Sequence, residues 1–111
     1  MDVSVMARHM EVTVAMREYA GDKVARLPRL YDGLQSVGVT FDQDGGDNLV
    51  EIVALGKRKA KFVAHHCGGD MYACLDQCLH KLEMQLRRHK DRIRDRQGPP
   101  HEQTMTPPET A

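Results

Sequence analysis

The chain has 111 residues, and its 16 lysines and arginines are balanced by 16 aspartates and glutamates, so its formal net charge at pH 7 is zero. This length suits one domain with a modest core, and the hydrophobic fraction of 41% is ordinary for a globular protein. No apolar run approaches the roughly 20 residues that a membrane-spanning helix needs. The N-terminus also lacks a charged segment followed by an apolar one, so we expect no secretory signal and a cytoplasmic protein.

The first predicted elements are a strand and a helix. Apolar residues alternate with others over residues 3–7, which favours a short strand. Thr13 suits the N-cap of a helix from about residue 14 to residue 30, in which apolar positions recur at threes and fours. Gly21 should weaken this helix by up to about 1 kcal/mol relative to Ala. Pro28 lacks a backbone donor and should kink or end its last turn.

Three strands are predicted next, over residues 37–41, 49–55 and 61–66. Between the first two, the segment DQDGGDN (residues 42–48) predicts a flexible acidic hairpin loop. Between the last two, residues 56–59 predict a basic turn. In the first of these strands Val37, Val39 and Phe41 share one face. In the second, Val50, Ile52 and Ala54 share one face, and Leu49, Glu51, Val53 and Leu55 share the other. In the third, we expect Phe62 and Ala64 to face the core.

Residues 70–96 predict one long amphipathic helix. Asp70 is a suitable N-cap, and apolar residues recur at helical spacing from Met71 to Leu86 and again at Ile93. We therefore expect the last two or three turns to project past the core or to lie loosely on it. From residue 97 onward the chain holds four of its five prolines without an apolar period, so we predict a domain over residues 1–96 and a disordered Pro-rich tail over residues 97–111.

The element order β-α-β-β-β-α predicts an α+β fold. The two-layer solution is a sandwich in which two helices cover one face of a four-stranded antiparallel sheet. This order is similar to that of double-stranded RNA-binding domains with an added first strand, although topology does not by itself establish function.

The charge is unevenly distributed along the chain. Residues 57–96 contain 11 Lys or Arg and 5 Asp or Glu, a local charge of +6, and the remainder carries −6. A cationic surface on a rigid helix indicates binding of a polyanion such as RNA, because each neutralised phosphate releases counterions. A solvated helix with internal salt bridges made by Asp91 explains the run equally well. The helix cations are Lys81, Arg87, Arg88, Lys90, Arg92, Arg94 and Arg96.

Two further basic groups are candidates for phosphate contacts. Lys57, Arg58 and Lys59 cluster with Lys61 at the predicted turn, where they could bind phosphate or protect an edge strand from aggregation. Lys23, Arg26 and Arg29 recur at spacings of three on one face of the first helix.

The cysteines and histidines do not make a convincing metal or catalytic site. Structural zinc usually needs two close ligand pairs, and adjacent strand residues such as His65 and His66 point to opposite faces. Reduced, buried thiols are the better interpretation of the three cysteines. No Gly-rich phosphate loop or nucleophile site is present. We predict no enzyme, no metal, no cofactor and no small-molecule substrate. The residues weighed for zinc were His65, His66, Cys67, Cys74, Cys78 and His80.

Three segments carry a resemblance to a known family. They are RHMEVTVAMREY (residues 8–19), DMYACLD (residues 70–76) and KLEMQLRRHK (residues 81–90). Over about residues 3–96 the chain resembles the ribosome hibernation-promoting factors, also called ribosome-associated inhibitors or sigma-factor modulation proteins. The resemblance implies a β-α-β-β-β-α domain that binds the decoding channel of the small ribosomal subunit, occludes the tRNA and mRNA sites, and stores ribosomes inactive under stress.

The resemblance also implies site residues and partners. Basic residues of both helices contact 16S rRNA in this family, which points to Arg8, Lys23, Arg26, Lys81, Arg88 and Lys90, with Arg87 and Arg92 as local additions. The Lys57–Lys59 turn is a secondary RNA contact. Tyr72 and Asp76 match the family, and we expect both to be structural. If the protein promotes ribosome dimers, we expect a separate dimerising factor. The alternative hypothesis is a small RNA- or protein-binding regulator of the same fold with another partner.

Overall fold

A computed structural model describes the backbone of residues 1–97 and the side chains of residues 1–93. Apart from Gln97, the predicted tail lies outside the described residues. Among the residues described, no helix is long and apolar enough to cross a membrane.

Six helices and strands follow one another in the predicted order β-α-β-β-β-α. Two short 3₁₀ turns, Leu27–Arg29 and Lys57–Lys59, lie between them. The elements are β1 (Asp2–Arg8), α1 (Val14–Val24), β2 (Leu34–Asp44), β3 (Asp47–Gly56), β4 (Lys61–Gly68) and α2 (Met71–Gln97).

The four strands form one mixed sheet in the order β1-β2-β3-β4. The hairpin-linked neighbours are antiparallel, as predicted, but β1 runs parallel to β2, with Val5 opposite Val39. The prediction of a purely antiparallel sheet was therefore wrong at this edge. The reason is that α1 returns the chain to the end of the sheet where β1 began, and such a crossover joins parallel strands.

The core lies between one face of the sheet and the two helices. Phe62 and Ala64 are buried, as predicted, and the structure shows which face of the other two strands is buried, since Val37, Val39, Phe41, Val50, Ile52 and Ala54 are at most 1% exposed. The apolar stripe of α2 runs along this core, and its residues Leu75, Leu82 and Leu86 are almost completely buried. Ile93 is partly buried against the same core, so α2 stays in contact with the domain for most of its length rather than leaving it after Leu86.

α1 is shorter than predicted, because it ends at Val24 instead of continuing to residue 30. The Pro28 ring would clash with the carbonyl of the residue four positions earlier, which is Val24. The chain turns instead through the 3₁₀ segment that contains Pro28. The start of α1 is as predicted, since the Thr13 hydroxyl accepts a hydrogen bond from the backbone N–H of Met16 at 3.0 Å.

The connection between β2 and β3 is a tight hairpin turn, shorter than the segment of residues 42–48 that was assigned to a turn or hairpin loop. The strands pair as far as Asp44 and Asp47, so only Gly45 and Gly46 lie between them. Both glycines have positive φ, 60° and 89°, as a two-residue hairpin turn of the I′ type requires. The polar residues of the DQDGGDN segment are therefore mostly strand residues, and Asp42 is buried.

Candidate nucleic-acid interface

One flank of α2 lies along the free edge of β4. We call it the strand flank, and it contains Lys81, Gln85, Arg88 and Arg92, which recur at spacings of four, three and four. Lys81 Nζ donates to the His65 carbonyl at 3.0 Å, and Gln85 Nε2 donates to the Val63 carbonyl at 2.8 Å. These bonds satisfy edge carbonyls that could otherwise pair with another chain. The start of α2 is as predicted, because the Asp70 carboxylate accepts a hydrogen bond from the backbone N–H of Tyr72 at 3.1 Å.

On the C-terminal side of Lys81, the strand flank borders a depression of about 320 Å³ between α2 and β4. Lys61, Arg88 and Arg92 line it, together with Gln85. The cations there are contributed by two elements, a strand and a helix, which only the folded chain brings together. Three positive side chains along one groove are suited to successive phosphates of a nucleic acid backbone.

The opposite flank of α2 faces α1, and we call it the helix flank. Lys23 in the last turn of α1 and Arg26, two residues after its end, border a shallow depression there with Asp76, His80 and Glu83 of α2. Lys23 is already engaged, since its Nζ lies 3.7 Å from Asp76 Oδ1 and 5.2 Å from the centre of the Tyr19 ring. Arg26 is exposed, so of the two predicted α1 contacts it is the more available to a phosphate.

The C-terminal half of α2 presents exposed cations on both sides. Arg87 and Lys90 follow Glu83 by four and seven positions and extend the helix flank, whereas Arg88 and Arg92 belong to the strand flank. No ion pair joins these four side chains to another side chain within residues 1–93. The alternative of a helix neutralised by its own salt bridges is therefore not found for these four cations among the described residues.

The basic turn after β3 has an unfavourable backbone conformation. Arg58 and Lys59 have φ values of 59° and 63°, a region in which residues other than glycine cost about 1–3 kcal/mol each. The turn is held in place because the N–H of Lys57 donates to the Gly33 carbonyl at 3.0 Å, and that of Gly56 to the Ala60 carbonyl at 2.8 Å. All three cations are exposed.

Arg8 lies apart from the other predicted contacts. It is opposite Asp42 in the sheet register, at the hairpin end, while the basic turn lies at the other end of β3. Its guanidinium is 3.5 Å from Asp42 Oδ2, and His9 Nδ1 is 2.9 Å from Asp42 Oδ1. The hydrogen bond with His9 and the charges of His9 and Arg8 hold the pKa of Asp42 below its usual value, against the opposing effect of burial. The fold thus gives Arg8 a structural partner and does not group it with the α2 cations.

Aromatic side chains near the basic turn were missed as site residues. The His89 ring lies 4.8 Å from the Tyr31 ring and 5.1 Å from the Phe62 ring, both edge-on. His89 was included only as part of the KLEMQLRRHK motif, and neither Tyr31 nor Phe62 was predicted as a site residue. Nothing in helical or strand spacing relates residues 31, 62 and 89, so no sequence pattern could have found this cluster.

Two of the six side chains considered for zinc, His66 and Cys78, contact groups that are not metal ligands. His66 Nδ1 is 3.1 Å from Lys81 Nζ, and the Cys78 thiol donates to the Ala64 carbonyl at 3.2 Å. Burial is the main cause that raises the pKa of Cys78 to about 12 and also raises that of Cys74. In the part of the chain that the structure describes, no group of three or more His, Cys, Asp or Glu side chains is arranged to hold a metal ion.

Comparison with known proteins identifies relatives over nearly the whole described domain. The family model described as "Sigma 54 modulation protein / S30EA ribosomal protein" matches residues 3–94. The ribosome hibernation promoting factor of Azotobacter vinelandii is 34% identical over 97 residues, which cover 87% of this chain and 90% of that protein. The predicted family resemblance is confirmed.

Solved structures share the fold. The crystal structure of the Thermus thermophilus Protein Y N-terminal domain aligns with a TM-score of 0.73 and 29% identity, covering 80% of this chain and 99% of that one. A ribosomal subunit interface protein from Coxiella burnetii aligns with a TM-score of 0.76 at 23% identity, covering 82% of this chain and 99% of that one. The α+β architecture with two helices and a four-stranded sheet is thereby confirmed.

Proposed function

Since this chain belongs to the Sigma 54 modulation protein / S30EA ribosomal protein family, we propose that it binds the small ribosomal subunit and stores ribosomes in an inactive state. The family match over residues 3–94 is the observation that carries this proposal. The family is a non-enzymatic, ribosome-binding one, and its relative from Azotobacter vinelandii is named a ribosome hibernation promoting factor. We therefore propose that this protein acts in the cytoplasm, where ribosomes are found.

The proposed mechanism is steric. The domain occupies the decoding channel, where its cations contact 16S rRNA and its bulk excludes tRNA and mRNA. The exposed cations on both flanks of α2 support this arrangement, because a rod with charge on two sides can contact rRNA on two walls of a channel. Arg26 and the Lys57–Lys59 turn add cations from other elements. Arg8, which is paired with Asp42, is the weakest of the proposed contacts.

Salt-dependent sedimentation with purified small subunits tests binding. The wild-type protein should pellet with the subunits at low salt and be released as salt rises, because phosphate contacts are weakened by counterion competition. The double variant Arg88→Glu with Lys90→Glu should stay in the supernatant while its circular dichroism spectrum is unchanged. A matched control, Arg88→Lys with Lys90→Arg, keeps the charge at both positions and should still pellet.

A competition assay tests occlusion separately from binding. Increasing amounts of the protein should release tRNA from small subunits programmed with mRNA, and the double charge-reversal variant should not. If the wild-type protein pelleted with the subunits but left tRNA bound, the decoding-channel placement would be wrong. If it remained soluble at low salt and captured a different RNA or protein from a stationary-phase lysate, the regulator alternative would replace the proposal.

A further inference from the structure

A pocket of about 530 Å³ lies between the basic turn, the segment before β2 and the end of α2. That volume is within the range of about 300–1,000 Å³ that is typical of ligand sites. Its lining is mostly apolar and includes the Tyr31 and His89 rings with the side chains of Ala60 and Ile93. The charged residues that line it are Asp32, Lys57 and Arg58.

The position of the basic turn beside this pocket is fixed by the fold. The bond from the Lys57 N–H to the Gly33 carbonyl, at 3.0 Å, ties the turn to the opposite wall. Gly33 has no side chain, and an added Cβ would overlap the Tyr31 ring, so the tyrosine ring lies directly over this backbone. Arg58 keeps its cation at a position where φ is 59° and glycine would be the less strained residue. The partly buried His89 ring and the 8% of Tyr31 that is exposed are therefore held next to cations.

The pocket adjoins the groove of the strand flank. Ala60 and His89 line both depressions, so a strand that leaves the pocket across these two residues reaches the groove next. Beyond them the groove presents Lys61, Arg88 and Arg92. An aromatic recess that opens into a row of cations matches one base followed by a run of phosphates, since bases stack on aromatic side chains while the backbone follows a positive groove.

We propose that this pocket takes the base of one unstacked nucleotide of a bound RNA strand, with its phosphate at Lys57 and Arg58 and the following backbone along the strand flank. This assignment rests on the proposed function for the identity of the polymer. The Asp32 carboxylate at the pocket lining accepts hydrogen bonds and does not donate them, so it favours a base that presents N–H groups and disfavours a second phosphate.

The test measures binding of a fluorescein-labelled five-nucleotide RNA at low salt, with amide chemical shifts as the readout of location. The wild-type protein should bind it, and the shifts should change at Gly33, Ala60 and Ile93. Ala60→Leu, which fills the pocket, should weaken binding about tenfold, as expected for losing one stacked base. Arg58→Gly removes a cation and relieves a positive φ, so it should weaken binding while the melting temperature stays the same or rises.

Controls separate this inference from the proposed function. Arg17→Gln removes a cation that contacts the Val5 carbonyl on β1 and should leave RNA binding unchanged. Shift changes confined to the helix flank, with Ala60→Leu binding normally, would overturn the pocket assignment and leave small-subunit binding intact. A mononucleotide that binds as tightly as the pentanucleotide would also overturn it. If the protein bound the pentanucleotide in the pocket but did not pellet with small subunits, the pocket assignment would be supported and the proposed function would be refuted.

Discussion

The hydroxyl of Tyr19 in α1 donates to the carboxylate of Asp76 in α2, with the two oxygens at 2.9 and 3.0 Å. The residues are 57 positions apart in the chain. The Tyr72 ring packs edge-on against the Tyr19 ring with a centroid separation of 4.9 Å, and Lys23 lies 3.7 Å from the same carboxylate. This polar cluster joins the two helices above the core and places Lys23 and Arg26 beside α2. The expected structural roles of Tyr72 and Asp76 are consistent with these contacts.

Replacing Asp76 with Asn should lower the pKa of Tyr19 toward its usual value of 10.0. The pKa is raised in the folded protein, first by the hydrogen bond to Asp76, because that bond stabilises the protonated phenol. A raised pKa means that the contact stabilises the fold below about pH 10 and that this contribution is lost as pH rises through the folded-state value. Carbon-13 NMR of labelled tyrosine measures the titration. An unchanged Tyr19 pKa in the variant would contradict the assignment, and Tyr31 serves as the internal control.

Replacing Asp42 with Asn should reduce stability at neutral pH more than at acid pH. The pKa of Asp42 is held below its usual 3.8, so its contacts stabilise the fold above that value and are lost as pH falls through the lowered folded-state pKa. Urea unfolding of both proteins at pH 7 and in acid checks this, because the stabilisation is lost as pH falls through the lowered pKa of Asp42. The difference between the two proteins should be smaller in acid. An equal difference at both values would show that the charge of Asp42 does not matter.

One of the three cysteines should react with a thiol reagent in the native protein. Cys67 is exposed, whereas Cys74 and Cys78 are buried, and burial raises the pKa of Cys78 to about 12. At pH 8 the Cys78 thiol is therefore almost entirely protonated, whereas the thiolate is the reactive form. Ellman's reagent should therefore label about one thiol per chain in buffer and three in urea. Cys67→Ser should abolish the native reaction, and rapid labelling of two thiols would contradict the structure.

Two glycine-to-alanine changes should have opposite effects. Gly21 lies in α1 with no atom near the position that an alanine methyl group would take, so Gly21→Ala should stabilise the protein by up to about 1 kcal/mol. At Gly33 the methyl group would overlap the Cζ and hydroxyl of Tyr31, and overpacking of this kind costs about 1–3 kcal/mol. Thermal unfolding should give a higher melting temperature for the first variant and a lower one for the second. A stabilised Gly33→Ala protein would mean that the Tyr31 ring moves away freely.

Removing one phosphate-contacting cation should reduce the salt dependence of small-subunit binding. Arg88→Gln should lower the slope of log K against log salt by about 0.7–0.9, the contribution of one phosphate contact. Arg17→Gln, matched in charge but located against β1, should leave the slope unchanged. Sedimentation at four salt concentrations measures both. Equal slopes for wild type and Arg88→Gln would remove Arg88 from the interface.

The element order and the core could be read from the chain because periodicity is a local property. Strand residues that alternate at a period of two and helix residues that recur at 3.6 must each present one apolar face. Val39, Ile52 and Leu82 were assigned to such faces and are fully buried. The Thr13 and Asp70 caps were also predictable, since a cap bonds to residues two or three positions away. The family motifs, which are likewise contiguous, identified the relatives.

What the chain alone did not determine are relationships between residues far apart in sequence. The parallel pairing of β1 depends on where α1 returns the chain, and the two flanks of α2 exist only because α1 lies on one side of it and the β4 edge on the other. Arg8 was grouped with the other cations by motif, but the register placed it against Asp42 at the opposite end of the sheet from the basic turn. The pocket beside Tyr31 and His89 likewise requires three separate segments to meet. Local spacing specifies which face of an element is buried, whereas packing decides which faces meet, because burial of apolar area is non-directional and many pairings satisfy it.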